Sequence, residues 1–169
     1  MKQILEDQLQ QLFLQMTLGS ARKKIYAMRA TKEGQHELAH LFSAISSSEA
    51  AQAARILMQL RGRTGSHEHN RLLALEQEIP ATIASCEKIA QLADDWEDKA
   101  IHGVCAQSAK VQRMHLNLHK KLERRSGPDQ NQVSSYHVCR FCGFIMADKA
   151  PDNCPICTAP ASRFQQVPA

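Results

Sequence analysis

Aromatic residues make up only 5% of this 169-residue chain. That scarcity excludes a core built around stacked rings. The apolar interior has to come from Leu, Ile, Ala and Met, which suits helices. No apolar run is long enough to cross a bilayer. The opening residues, Met1-Lys-Gln-Ile-Leu-Glu-Asp, lack the continuous apolar stretch of a signal peptide. The expectation is therefore a cytoplasmic chain in a reducing compartment, with no membrane partner. A large excess of charge of one sign is also lacking. The formal net charge is +4, too mild to argue for a nucleic-acid partner. No phosphate-cradling Gly loop and no Ser/His/Asp arrangement can be read from the chain.

What is present begins with long helical patterns. Residues 1–125 read as four helices: Lys2 to Ala30, Gln35 to Leu60, Glu68 to Ala93 with a kink at Pro80, and Glu97 to Arg124. Gly34, the segment Gly62-Arg-Thr-Gly-Ser66, and Asp94-Asp95 separate them. Long helices with short connections suit an antiparallel bundle. Residues 126–134 have linker composition, and residues 135–169 form a separate small segment. Leu38, Leu41, Ile45, Glu49, Gln52 and Ile56 share one face of the second helix. Ile101, Cys105, Ser108, Gln112, His115, His119 and Leu122 share one face of the fourth. Both faces carry polar residues at mid-height, and polar groups in an interior require partners.

The segment after the linker carries the strongest chemical signal. Cys139-x-x-Cys142 is followed by Cys154-x-x-Cys157. Two residues between each pair let the backbone curl so that both sulfurs face one point. Four thiolates so arranged close a tetrahedron around zinc or iron. Two disulfides would satisfy the same count but do not suit a reducing compartment. Gly143, just after the first pair, fits a knuckle that needs positive φ. Tyr136, Phe144 and Phe164 are the expected apolar cover. Cys86 and Cys105 fall in helical patterns and read as small buried hydrophobes.

The run Tyr136-His-Val-Cys-Arg-Phe-Cys-Gly-Phe-Ile, with Lys149-Ala-Pro-Asp-Asn-Cys-Pro-Ile-Cys157 and Phe164, resembles the rubredoxin-like domain of rubrerythrins. Thr158 stands where many members have Gly. Gly34, then Glu37-Leu-Ala-x-Leu-Phe-x-Ala-Ile and Glu49, looks like the second helix of the same family. The resemblance implies an all-α, ferritin-like four-helix bundle followed by a small β-rich rubredoxin-like metal module. It also implies one iron, Fe(II)/Fe(III), on Cys139, Cys142, Cys154 and Cys157, with zinc as the alternative. By analogy it implies a homodimer and a redox partner protein.

The family's two-iron centre needs two Glu-x-x-His pairs and further carboxylates, because two adjacent cations must be neutralised and bridged. Here the pairs are Glu49-x-x-Gln52 and Gln112-x-x-His115, so each has lost one ligand. By the family's spacing, the first-helix position facing Glu49 lies near Met16, which is no ligand. A two-iron centre is therefore not expected. Glu49, Gln52, Gln112 and His115 read as a hydrogen-bonded remnant. His36 with His40, and His67 with His69, read as solvated pairs. Met16, Met28, Met58 and Met114 read as core filler. The expected function is electron transfer linked to peroxide or oxidative-stress defence. The alternatives are a zinc-ribbon interaction protein and a peroxidase with an atypical site on Glu49 and His115.

Overall fold

The computed structural model describes residues 2–60, 65–124 and 133–168. Most of the expected linker, and part of the loop after Leu60, lie outside them. The chain divides into two compact units, Met1–Ser66 and His67–Ala169.

The first unit is a hairpin of α1 (Lys2–Lys32) and α2 (His36–Leu60). Gly34 ends α1 at φ 73°. Its N–H donates to Thr31 O, and the Gln35 N–H donates to Ala30 O. This pattern satisfies the last carbonyls of a helix through a left-handed residue. The seam between the helices is made of small side chains: Ala27 and Ala30 of α1 and Ala39, Ser46 and Ala53 of α2 are all buried. Small residues let the backbones approach closely. Ser20 and Ser46 reciprocate, each hydroxyl donating to the other's carbonyl at 2.8 Å. Tyr26 and Phe42 pack edge-on at 5.8 Å.

The seam therefore corrects the expected face of α2. It follows Ala39, Phe42, Ser46, Glu49 and Ala53, whereas Leu38 and Leu41 are exposed. Alanine weighs little in an apolar pattern, yet it is what a close helix pair selects. Met28 and Met58 are likewise exposed rather than core filler.

The second unit opens with α3 (His67–Leu72), a π-helical turn (Leu73–Glu78), α4 (Ile79–Asp95) and α5 (Lys99–Arg124). The third helix expected from sequence is thus divided, and the disturbance precedes Pro80 rather than centring on it. Pro80 has no N–H and its ring crowds the carbonyl one turn back. Widening that turn relieves the crowding: the Ile79 N–H bonds Ala74 O, five residues back. Arg71 braces the turn through Glu68 at 2.6 Å, Glu76 at 3.4 Å and Glu123 of α5 at 3.5 Å.

At the α4–α5 corner the Asp98 N–H bonds Ala93 O, with Glu97 at φ 55°. It is the corner of Gly34 again, built here with a residue that resists positive φ. Asp98 then caps α5, its Oδ1 accepting from the N–H groups of Ala100 and Ile101 at 3.1 and 3.0 Å. Capping explains why α5 starts at Lys99 and not at Glu97. Ala90, Ala93 and Ala109 form the buried seam.

The chain ends in a three-stranded antiparallel sheet of order β2-β1-β3. The strands are β1 (Ser135–Cys139), β2 (Ile145–Ala147) and β3 (Phe164–Pro168). The register pairs Tyr136 with Ala147 and Val167, Val138 with Ile145, and Cys139 with Phe164. Because side chains alternate along a strand, Tyr136, Val138, Ile145 and Val167 share one face. Cys139 and Phe164 share the other. The buried cluster on that second side is Cys139, Phe144 and Cys154 together with Val111 of α5. Among the described residues, no helix is long and apolar enough to cross a membrane.

Candidate metal centre and the polar layer of the helices

Two knuckles of matching design bring the four cysteines together. In the first, the Gly143 N–H donates to Cys139 O at 2.9 Å, and the Cys139 N–H donates to Phe144 O at 2.8 Å. In the second, the Thr158 N–H donates to Cys154 O at 2.9 Å, and the Cys154 N–H donates to Ala159 O at 2.8 Å. Gly143 has φ 82° and Thr158 has φ 60°. Thr158 thus adopts the conformation for which glycine is the usual choice. Its hydroxyl donates to Cys157 O at 2.7 Å.

The four sulfurs lie within 4.8 Å of one another. Cys139 Sγ is 3.7 Å from Cys157 Sγ, and Cys142 Sγ is 3.5 Å from Cys154 Sγ. Both separations are far beyond a disulfide bond. They match the edge of a tetrahedron with metal–sulfur bonds of about 2.3 Å, which is roughly 3.8 Å. Cys139 and Cys154 are buried, while Cys142 and Cys157 are half-buried. Burial pushes the Cys142 and Cys157 thiols up. Burial also acts on Cys139, but the N–H groups of Cys142 and Phe141, with the thiols of Cys157 and Cys142, bring it below the ordinary thiol range. Four thiols so crowded ionise together only around a cation. The donor set therefore fits a single tetrahedral metal ion.

The cover over the sulfurs is partly as expected. Phe144 is fully buried and meets Phe164 edge-on at 6.4 Å. Tyr136 lies on the opposite face of the sheet. Val111 and Met114 of α5 take part instead, and Val111 Cγ1 comes within 3.9 Å of where a Cβ on Gly143 would stand. No pattern inside the cysteine segment points to α5, because the contact is non-local.

Of the expected polar remnant, His115 and Gln112 are in contact, while Glu49 and Gln52 take other partners. Glu49 is held by Lys23 of α1, whose Nζ donates to both carboxylate oxygens at 2.7 and 2.8 Å. Each side chain is about three-quarters shielded, at 26% and 23% exposure. Gly19 and Lys23 are the first-helix residues in contact range of the Glu49 carboxylate. A Cβ on Gly19 would stand 2.8 Å from Glu49 Oε2, so glycine makes the room in which the pair lies. Gln52 is exposed and donates to Ser48 at 3.2 Å. In the second unit, His115 Nδ1 lies 3.3 Å from Gln112 Oε1. His115 and His119 face the sheet of the C-terminal segment, where they line a cavity with Tyr136 and Val138. His36, His40, His67 and His69 are exposed.

Similarity to known proteins follows the same two parts. The family model for the rubrerythrin rubredoxin-like domain matches residues 137–165, the span of both knuckles. A rubrerythrin from Porphyromonas gingivalis is 27% identical over 179 residues, covering 96% of this chain and 89% of that protein. Two solved structures of nigerythrin, one partially reduced and one fully reduced (all ferrous), superpose with a TM-score of 0.52. Each is 18% identical, covering 96% of this chain and 86% of the other. Four helical stretches, one of them divided, followed by a small strand module with four converging cysteines, are the ferritin-like and rubredoxin-like parts in that order. The chain is thus similar to rubrerythrins along its length, and residues 137–165 match their rubredoxin-like domain.

Proposed function

We propose that this protein is a cytoplasmic electron carrier serving peroxide or oxidative-stress defence, with one metal held by Cys139, Cys142, Cys154 and Cys157 and no self-sufficient two-iron site. The observation that carries the reading is the contrast between its two polar centres. One gathers four sulfurs into the tetrahedron that a single ion requires. At the other, the carboxylate of Glu49 is already neutralised by an ammonium group. An ammonium that contacts both oxygens of Glu49 competes with any metal cation for that carboxylate. Iron in the sulfur site supplies a one-electron couple.

The protein's own residues do the rest. The N–H groups of Cys142 and Phe141 point at Cys139 and stabilise negative charge on sulfur. Phe144 and Val111 keep water from the buried side. Phe141, between the first two cysteines and 75% exposed, offers a redox partner protein an apolar foothold beside the sulfurs. A homodimer is the assembly proposed by analogy with the family. The peroxidase alternative on Glu49 and His115 loses ground to Lys23. A structural zinc site remains the competing reading, because zinc and iron accept the same tetrahedron.

Metal content per chain, read beside a visible spectrum before and after dithionite, tests the proposal on protein from iron-replete cells. One iron with a thiolate band that bleaches and returns in air is the expected result. One zinc and no reducible band would make the module a structural one. Three metals per chain would restore a two-iron site to the helices.

A further inference from the structure

Helix α1 carries more apolar surface than its seam with α2 uses. That seam runs along Ser20, Lys23, Ala27 and Ala30. A second series follows α1 at alternating intervals of four and three: Leu14, Leu18, Ala21, Ile25 and Met28. At about 100° of turn per residue, this series lies on the side of the helix away from α2. All five residues are exposed. A helix that is apolar on more than one side has more than one partner to pack against. Intervals of four and three are those of a coiled-coil seam. The same intervals reach Gln11 and Asp7 at one end and Lys32 at the other, all exposed. From Asp7 to Lys32 the series spans more than three heptads, roughly 37 Å of helix.

The charged ends of the series decide what covers it. In a parallel pair of copies, Asp7 would face the partner's Asp7 and Lys32 the partner's Lys32, which like charges oppose. An antiparallel pair removes the conflict. About a two-fold axis passing between Gly19 and Ser20, each position meets one of complementary kind. Leu18 meets the partner's Ala21, a large residue on a small one. Leu14 meets the partner's Ile25, and Gln11 meets the partner's Met28. Asp7 meets the partner's Lys32. The two-fold repeats every contact, so opposite charges close both ends of the seam. Sliding the copies by one heptad places Asp7 against the partner's Ile25, or Lys32 against the partner's Leu14. Either slip sets a charge on an apolar residue, which costs free energy. One register therefore satisfies both the apolar centre and the charged ends.

We infer that α1 is the contact surface of a two-fold homodimer, with its Leu14-to-Met28 stripe packed antiparallel on the same stripe of a second copy. The inference deepens the homodimer of the proposed function and rests on that part of the reading; the metal and its chemistry do not enter.

Sedimentation equilibrium of the metal-loaded full chain tests it, with far-ultraviolet circular dichroism as the control for folding. The wild-type protein should fit the mass of two chains. Leu18→Glu sets a carboxylate in both central layers and should give the mass of one chain with an unchanged helical signal. Ile25→Lys should do the same, should Leu18→Glu not fold. Asp7→Lys sets ammonium groups against each other at both ends and should weaken dimerisation about tenfold. Combining it with Lys32→Asp should restore the wild-type affinity. A wild-type protein of one chain at every concentration would overturn the homodimer and this surface together. A dimer undiminished by Leu18→Glu and Ile25→Lys would overturn the surface and leave the homodimer standing. No weakening in Asp7→Lys, or a weakening that Lys32→Asp does not recover, would overturn the antiparallel register.

Discussion

Replacing Lys23 by methionine keeps most of the aliphatic stem and removes the charge that Glu49 faces. The ammonium lies 2.7 and 2.8 Å from the two carboxylate oxygens. At the shorter distance the attraction is roughly 1.5 kcal/mol in a water-like dielectric and roughly 6 kcal/mol at an effective constant of 20. Desolvation of both ions offsets much of the larger figure. Exposed pairs measure 0–1 kcal/mol, and breaking fully buried ones costs about 3–5 kcal/mol. With each side chain about three-quarters shielded, Lys23→Met should lower the unfolding free energy by about 2 kcal/mol.

Gly19 sharpens the prediction. Alanine is worth about 1 kcal/mol over glycine inside a helix, yet its Cβ would stand 2.8 Å from Glu49 Oε2. That oxygen ends a flexible side chain and can move aside, but moving loosens the ion pair. Gly19→Ala should therefore be close to neutral in the wild-type chain and stabilising by about 1 kcal/mol in the Lys23→Met background. Urea denaturation of the four proteins of this cycle, followed by far-ultraviolet circular dichroism, gives each term. Additive effects, with Gly19→Ala equally stabilising in both backgrounds, would refute the claim that the pair occupies the room left by Gly19.

Two further substitutions test the local geometry. Asp98→Ala removes the acceptor for two N–H groups at the start of α5 and should cost about 1 kcal/mol in the same denaturation assay, while Asp98→Asn should recover most of it. Thr158→Gly relieves a β-branched residue held at φ 60°. A left-handed residue with a Cβ costs about 1–2 kcal/mol, and glycine returns up to about 1 kcal/mol through the unfolded chain. The metal-loaded module should therefore gain up to about 1 kcal/mol, read as slower metal release to a chelator; faster release would refute it.

How much of the molecule can be read from its sequence depends on how local each constraint is. The sulfur cluster is legible because two residues of spacing dictate a knuckle, whatever the rest of the chain does. Gly34 is legible as a helix end for the same reason: positive φ belongs to glycine. The corner at Glu97 has the same hydrogen bonds, but the residue there does not advertise its conformation. Pro80 announces a disturbance without saying where the turn will widen, because the clash is with the residues before it. The phase of α2 is misread because leucines outweigh alanines in any apolar pattern, whereas close helix packing selects the small residues. Lys23 hides in Arg22-Lys23-Lys24, a run that resembles a solvated face. Only the seam set by Ala27, Ala30 and Ser46 turns it inward.

The replacement of ligands on the helices also takes on a physical meaning that sequence comparison alone does not give. Removing a bridging metal from between carboxylates leaves negative charge facing its own kind, which a folded hairpin does not tolerate. Gln at position 112, where the family pattern has Glu, removes such charge outright, whereas Gln52 stands at the histidine position of its pair. Glu49 keeps its charge, and Lys23 balances it with a single cation tethered to the chain. Such a cation needs no supply from solution and cannot change valence. In the proposed reading it takes the place of a metal ion as the counter-charge to Glu49. In the proposed reading one-electron chemistry belongs to the four sulfurs, whose backbone N–H donors and buried Phe144 are all supplied from within the module's own sequence.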